Sequence, residues 1–462
     1  MATGNTRASE HDIRAAFFAA MSQMYRTEVP LYGDLLDIVD TVNRRELAAQ
    51  PDLEADLQRR GELHRLSQER HGAIRVGTAA ELSMMRRMFA VMGMHPVGYY
   101  DLSVAGVPVH STAFRPLDLE GLNRNPFRIF TSLLRLELID DPALRAEATR
   151  LLSQRRIFSD RAIALVDQFE RDGGLDEQAA AAFVAALLET FRWHSVTVVD
   201  SKTYEKLHDV HRLVADVACF RGPHINHLTP RTLDIDAAQE EMQARGISAK
   251  DVIEGPPRRA VPILLRQTSF KALQEEVRFN DSESGVLGTH TARFGEVEQR
   301  GLALTPKGRD LYEALLGEAR GEEGSQSPDY EQRLRTAFER FPDDLDSLRR
   351  EGLGYFTYRL VHRPSRPVDT SSLERLVTTG IVEASPVIYE DFLPVSAAGI
   401  FQSNLGGTEQ RTYSPSEARA GFEQALGAEV ADPFSLYAEI QATSVARVGA
   451  ALGTPVHSDT AR

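Results

Sequence analysis

The strand-like runs of this sequence fall at irregular intervals between helices. That spacing excludes the regular strand–helix–strand alternation of a doubly wound parallel sheet. Amphipathic periodicity fills the early chain. SEHDIRAAFFAAMSQMY places Ile13, Ala16, Phe17, Ala20 and Met21 three and four residues apart, with Ser9 or Asp12 as the cap. YGDLLDIVDTVN and TAAELSMMRRMFAVMG repeat the pattern, and DEQAAAAFVAALLETFRW predicts a helix over 176–193. Strands are expected in 71–77, 96–104, 127–139, 260–270, 290–301, 354–361 and within 380–402. Further helices are expected at 306–318 and 328–340, with a C-terminal pair over about 414–452. The reading is an α+β chain, helix-rich from about residue 10 to 215 and strand-containing from about 216 to 405. Residues 318–332, charged and small, read as a surface loop, so 1–462 is taken as one unit.

A chain of 462 residues, 42% hydrophobic and 26% charged, can bury a large core without staples. Its single cysteine, Cys219, excludes an intramolecular disulfide and any cysteine-rich zinc site. The expectation is a small buried side chain in a reducing compartment. The N-terminus lacks a basic segment followed by an apolar core, so it does not read as a secretory signal. The longest apolar run, AAAAFVAALL at Ala179–Leu188, falls short of the roughly 20 residues that span a bilayer. A cytoplasmic protein without a membrane partner is expected. A net charge of −14 argues against nucleic acid, which needs clustered Lys and Arg. It also repels anions, so a site for an anionic substrate must carry its own arginine or a metal.

Three stretches could carry chemistry. In RHGAIRVG, a strand puts His71 and Arg75 on one face, with Cα atoms about 13 Å apart. A ligating imidazole at one end and a guanidinium fork at the other would suit a short dicarboxylate. The plainer alternative is an edge strand with a solvated histidine. In GPHINHLTPRTLDID, Pro223 and Pro230 argue against a helix, and residues three apart in an extended segment face opposite sides. His224 and His227 therefore do not readily ligate one ion together; spacing leaves open which of them faces a site. In HTARFGEVEQRG, a single strand would align His290, Ala292, Phe294, Glu296 and Glu298 on one face, with Gly295 permitting close backbone approach. Periodicity does not choose between Glu296 and Glu298, and His290 is a spare ligand. Two histidines and a carboxylate make up the facial triad of non-haem Fe(II) oxygenases, although thirteen histidines offer many such triples. No HExxH, P-loop, GxSxG, CxxC or GxGxxG pattern competes.

Together with LLRQTSFKALQEEVRF and YEDFLPVSAAGIFQSNL, these stretches resemble the 2-oxoadipate dioxygenase/decarboxylase family over about residues 10 to 450. The resemblance implies a single catalytic unit with a central, strongly bent β-sheet of vicinal-oxygen-chelate type, surrounded by many helices. It implies metal ligands His71, His227 and Glu296, with Glu298 the alternative carboxylate, and Fe(2+) as the cofactor. It implies substrate contacts from His71, Arg75, His227, Val395 and Ser396. The implied reaction converts 2-oxoadipate and O2 to 2-hydroxyglutarate and CO2, in lysine breakdown. His224 and Asn226 would then orient or line the site, while Gln267, Ser269 and Lys271 have no assigned role. A metal-dependent isomerase, a ring-cleaving dioxygenase or a non-enzymatic carboxylate or metal sensor are the alternatives. Because ligating imidazoles must be neutral, activity is expected to fall at mildly acidic pH.

Overall fold

Helix Glu10–Glu28 starts at Ser9, whose hydroxyl accepts from the His11 N–H. Its buried stripe carries Ile13, Phe17, Met21 and Tyr25. Helix Pro30–Ala49 follows at once, with proline where its missing N–H costs nothing. Helix Glu177–Leu188 is capped by Asp176 and passes into a 3-10 turn at Glu189–Phe191, so it ends before residue 193. The computed structural model describes residues 7–281, 286–320, 329–364, 370, 372–393 and 415–457. Among them, no helix is long and apolar enough to cross a membrane.

The fold is a mixed α and β arrangement around a five-stranded sheet. Its strands are β1 (Glu69–Val76), β2 (His95–Asp101), β3 (Val109–Arg115), β4 (Arg128–Leu134) and β5 (Leu228–Pro230), in the order β2–β3–β4–β1–β5. β1 runs parallel to β4 and antiparallel to β5, while β2–β3 and β3–β4 are antiparallel. β3 is absent from the strands expected from sequence. Every residue of it is buried, but four of the seven, His110, Ser111, Thr112 and Arg115, are polar, so its sequence shows neither an apolar run nor a clean alternation. β1 lies between two neighbours, which places His71 opposite Arg128 on one side and Thr229 on the other.

Among the described residues, three smaller pairs complete the strands: β6 (Leu265–Ser269) with β9 (Glu296–Arg300), β7 (Gln274–Phe279) with β8 (Val286–Thr291), and β10 (Phe356–Leu360) with β11 (Val382–Pro386). The single strand expected over 290–301 is thus two strands, broken at 292–295. The backbone there bonds to loops instead of a ladder: Phe294 N–H donates to the Asn226 carbonyl, and Leu273 N–H donates to that of Arg293. The Arg293 guanidinium meanwhile bridges Glu28 and Glu275 over the Trp193 ring. This break separates His290 from Glu296.

The described residues fall in two compact units. One lies within Met1–Ile253, Gln267–Glu298 and Pro394–Ala431; the other lies within Glu254–Arg266, Gln299–Leu393 and Asp432–Arg462. The first holds the five-stranded sheet and a large core that includes Phe17, Tyr25, Ile74, Phe114, Ile225 and Val297. In the second, Leu373, Leu376, Val382 and Val448 form a small core. There, Gln441 and Ser444 of helix Pro433–Leu452 accept from the Phe356 and Tyr358 N–H groups of β10.

Two histidines of the first unit give a stability prediction. His110 on β3 packs against Phe422, and His211 caps helix Arg212–Ala218 by accepting the Leu213 N–H on Nδ1. Burial, helped by Arg135 for His110 and by Arg75 for His211, lowers both pKa values to about 4. Their unfolded value is about 6.5. Below that pH the unfolded chain takes up protons the native protein refuses. Stability should therefore fall between about pH 6.5 and 4, by ~1.4 kcal/mol per pH unit for each histidine. Denaturant unfolding at pH 7.0 and 5.5 measures this slope. His211→Asn, a non-titrating cap, should flatten it by one histidine's share; an unaltered slope would refute the assignment.

Candidate metal centre

His71 on β1, His227 just before β5 and Glu296 at the start of β9 each aim one ligand atom into a common point. These atoms lie within 4.8 Å of one another, and all three residues are buried. Local folding explains the convergence. At Gly72 a Cβ would come within 2.7 Å of Ile225 and 3.1 Å of the His227 carbonyl, so only glycine lets the HINH loop lie on β1. Asn226 N–H donates to the Ala73 carbonyl, which pins that loop to the strand. The Tyr25 hydroxyl reaches the carbonyls of both Asn226 and Phe294, tying the loop to the segment that leads into β9. Asn43 clamps the far side of β5, donating to the Arg231 carbonyl and accepting the Leu233 N–H. Gly295 is required as well: a Cβ there would lie 2.4 Å from Phe270 and 2.8 Å from Leu35.

His71 sits between two carboxylates. Its Nε2 is 2.8 Å from Glu296 Oε1, and its Nδ1 is 2.9 Å from Glu298 Oε2. Both glutamates do share one face, as alternation requires, but only Glu296 joins His227 in the cluster. His227 stands edge-on to His71 and stacks on Phe294. Gln267 Nε2 donates to Glu296 Oε1 at 2.7 Å, and Thr229 Oγ1 donates to it at 3.3 Å. Thr229, cross-strand from His71, also lies 3.1 Å from its Nε2. Among the described residues, the buried atoms Glu296 Oε2 and His227 Nδ1 find no hydrogen-bond partner. An orphaned buried polar group costs about 1–3 kcal/mol, more for a charged one. Two imidazoles and a carboxylate with such atoms fit a divalent first-row metal ion.

Burial, only partly opposed by Glu296, lowers the His227 pKa to about 3. This imidazole is therefore neutral, and able to ligate, well below pH 6. Burial pushes the Glu296 carboxyl up, but His227 and His71 outweigh it and hold it below its ordinary value.

The other residues singled out from sequence divide. Arg75 is buried and its Nη1 lies 2.7 Å from Asp216 Oδ2. His224 and His290 stay out of the cluster: His290 Nε2 lies 2.9 Å from Asp216 Oδ1, and His224 Nε2 lies 3.6 Å from it and 3.0 Å from Asn226 Nδ2. Ser269 is buried on β6, whereas Lys271 is exposed. Val395 and Ser396 lie outside the described residues. Sequence reasoning missed Asp216, although a lone acid within the apolar run LVADVA is a legible signal. It also missed Thr229, which nothing in the pattern distinguishes.

The family model for 2-oxoadipate dioxygenase/decarboxylase matches residues 17–404. The chain belongs to this family. A family relative from Pseudomonas putida, named 2-oxoadipate dioxygenase/decarboxylase, is 54% identical over 97% of this chain and 98% of its own length. One of the same name from Escherichia coli is 55% identical over 95% and 98%. The crystal structure of the hydroxyglutarate synthase in complex with 2-oxoadipate from Pseudomonas putida superposes with a TM-score of 0.88. It is 51% identical, and the match covers 97% of this chain and 100% of that one.

For this family member, the second carboxylate on His71 yields a prediction. A partner on the outer nitrogen of a ligating imidazole fixes its tautomer and orientation, and losing it typically costs 10–100-fold in metal affinity. Glu298→Gln should weaken metal binding by about tenfold or more. Competition against a chelator of known affinity reads this directly, and wild-type affinity would show that Glu298 does not orient His71.

Proposed function

We propose that this protein is a non-haem Fe(II)-dependent dioxygenase/decarboxylase converting 2-oxoadipate and O2 to 2-hydroxyglutarate and CO2. The observation that carries the reading is the convergence of His71, His227 and Glu296 in a member of this family. Two imidazoles and one carboxylate are the ligand composition of non-haem Fe(II) oxygenases. Bound there, Fe(II) would supply dioxygen activation and the oxidation of the keto acid. The chain's own residues supply position and charge. His71, His227 and Glu296 hold the ion, and Gln267 and Thr229 fix the carboxylate that ligates it. The two histidines border the keto-acid end of the substrate. Arg75 grips the distal carboxylate, and Val395 and Ser396 contact the chain between. The buried walls exclude water from the reacting carbon. The lysine-breakdown setting belongs to the same proposal.

The test is oxygen uptake by Fe(II)-loaded protein on adding 2-oxoadipate. Uptake in step with CO2 and 2-hydroxyglutarate is the expected result. Intact metal binding without uptake would overturn the reaction and leave a metal-dependent isomerase, a ring-cleaving dioxygenase with another substrate, or a sensor.

A further inference from the structure

Asp216 is a buried carboxylate of the first unit that the proposed reaction does not use, and it meets Arg75, His290 and His224. It projects from the short helix Arg212–Ala218, where every neighbour from Leu213 to Ala218 is buried. Its Oδ2 takes the Arg75 Nη1 donor at 2.7 Å, and its Oδ1 faces His290 Nε2 at 2.9 Å. His290 Nδ1 lies 2.7 Å from the Tyr204 hydroxyl, which anchors it to helix Ser201–Val210. Trp193 stacks on the His290 ring and meets His224 edge-on. Asp216 is therefore itself immobilised from several sides. Burial disfavours its charge, but His224, Arg75 and His290 outweigh that and keep its carboxyl below the ordinary range.

An arginine that reads a carboxylate does so with a planar fork whose direction sets which ligands it accepts. A guanidinium on a long side chain has several rotamers, and a fixed anion on one nitrogen removes that freedom before the ligand arrives. We infer that Asp216 is a positioning residue that aims the Arg75 fork, and so sets the selectivity for 2-oxo acids bearing a distal carboxylate. The inference rests on the proposed role of Arg75. A purely structural ion pair would have the same geometry, so the test must separate the two.

The measurement is the dissociation constant of anaerobic Fe(II)-loaded protein for 2-oxoadipate and for 2-oxohexanoate, which lacks the distal carboxylate. The constant for 2-oxohexanoate divided by that for 2-oxoadipate is the selectivity. Asp216→Ala should lower this ratio about tenfold by weakening 2-oxoadipate alone, one charged hydrogen bond's worth of orientation. Asp216→Asn keeps the shape and an acceptor oxygen without the charge, and should lower it about threefold, since neutral bonds are weaker. It also serves if the alanine variant fails to fold. Arg75→Lys is the control and must lower the ratio at least about tenfold. Selectivity retained in Arg75→Lys would overturn the role of Arg75 itself. Loss in Arg75→Lys with wild-type selectivity in the folded Asp216 variants would overturn only the role of Asp216. Equal weakening of both ligands in the Asp216 variants would reduce the pair to a structural one and also overturn it.

Discussion

His227→Ala is expected to abolish 2-oxoadipate-dependent oxygen uptake and to release the metal on desalting. The imidazole is one of three ligand groups converging within 4.8 Å, so its loss leaves one imidazole and one carboxylate. Outer partners of metal ligands already account for about 10–100-fold in affinity, and a ligand itself should account for at least a hundredfold. The His227 ring also fills the space against Phe294, so some destabilisation is expected from the cavity alone. Metal content after gel filtration and thermal unfolding of the metal-free forms separate the two effects. A folded variant that kept stoichiometric metal and wild-type uptake would remove His227 from the site.

Arg75→Lys is expected to raise the KM for 2-oxoadipate by about tenfold to a hundredfold, with a smaller change in kcat. Lysine keeps the charge but not the planar fork, forfeiting at least one charge-assisted hydrogen bond of about 1.5–3 kcal/mol. Lysine is the more informative substitution here than alanine. Asp216 is buried against Arg75, and stripping away its cation would leave a buried carboxylate at a cost of about 3–5 kcal/mol. An alanine variant would then confuse a damaged fold with a damaged site. Steady-state kinetics across the substrate range decide the matter, and an unchanged KM would remove Arg75 from substrate binding.

Part of this site is legible in the sequence because two of its three ligands, His71 and Glu296, sit on strands, whereas His227 lies in a loop that no local period describes. Four-residue spacing on a strand put His71 and Arg75 together on β1, and both are buried there. Alternation put Glu296 and Glu298 on one side, and both approach His71. Choosing between them required tertiary contact with His227, which no local period encodes. The 290–301 stretch misled for a related reason. Its alternating pattern is real, but the backbone at 292–295 finds partners in loops far along the chain. β3 left no mark because His110, Ser111, Thr112 and Arg115, though buried, interrupt the apolar run that a strand such as β4 shows. The vicinity of Arg75 was equally hidden, since Asp216 lies 141 residues away.

The Tyr25 hydroxyl, reaching the carbonyls of residues 226 and 294 at once, has a consequence in time. Those carbonyls come together only after the chain has closed two long loops, and loop closure is the slow part of assembling non-local structure. The ligands are separated just as widely, so no early, locally formed intermediate can hold the ion with all three. In refolding begun with metal present, uptake should lag behind helix formation and coincide with the last recovery of native fluorescence. The ion would then serve as a clock hand that stops only when the chain has finished folding.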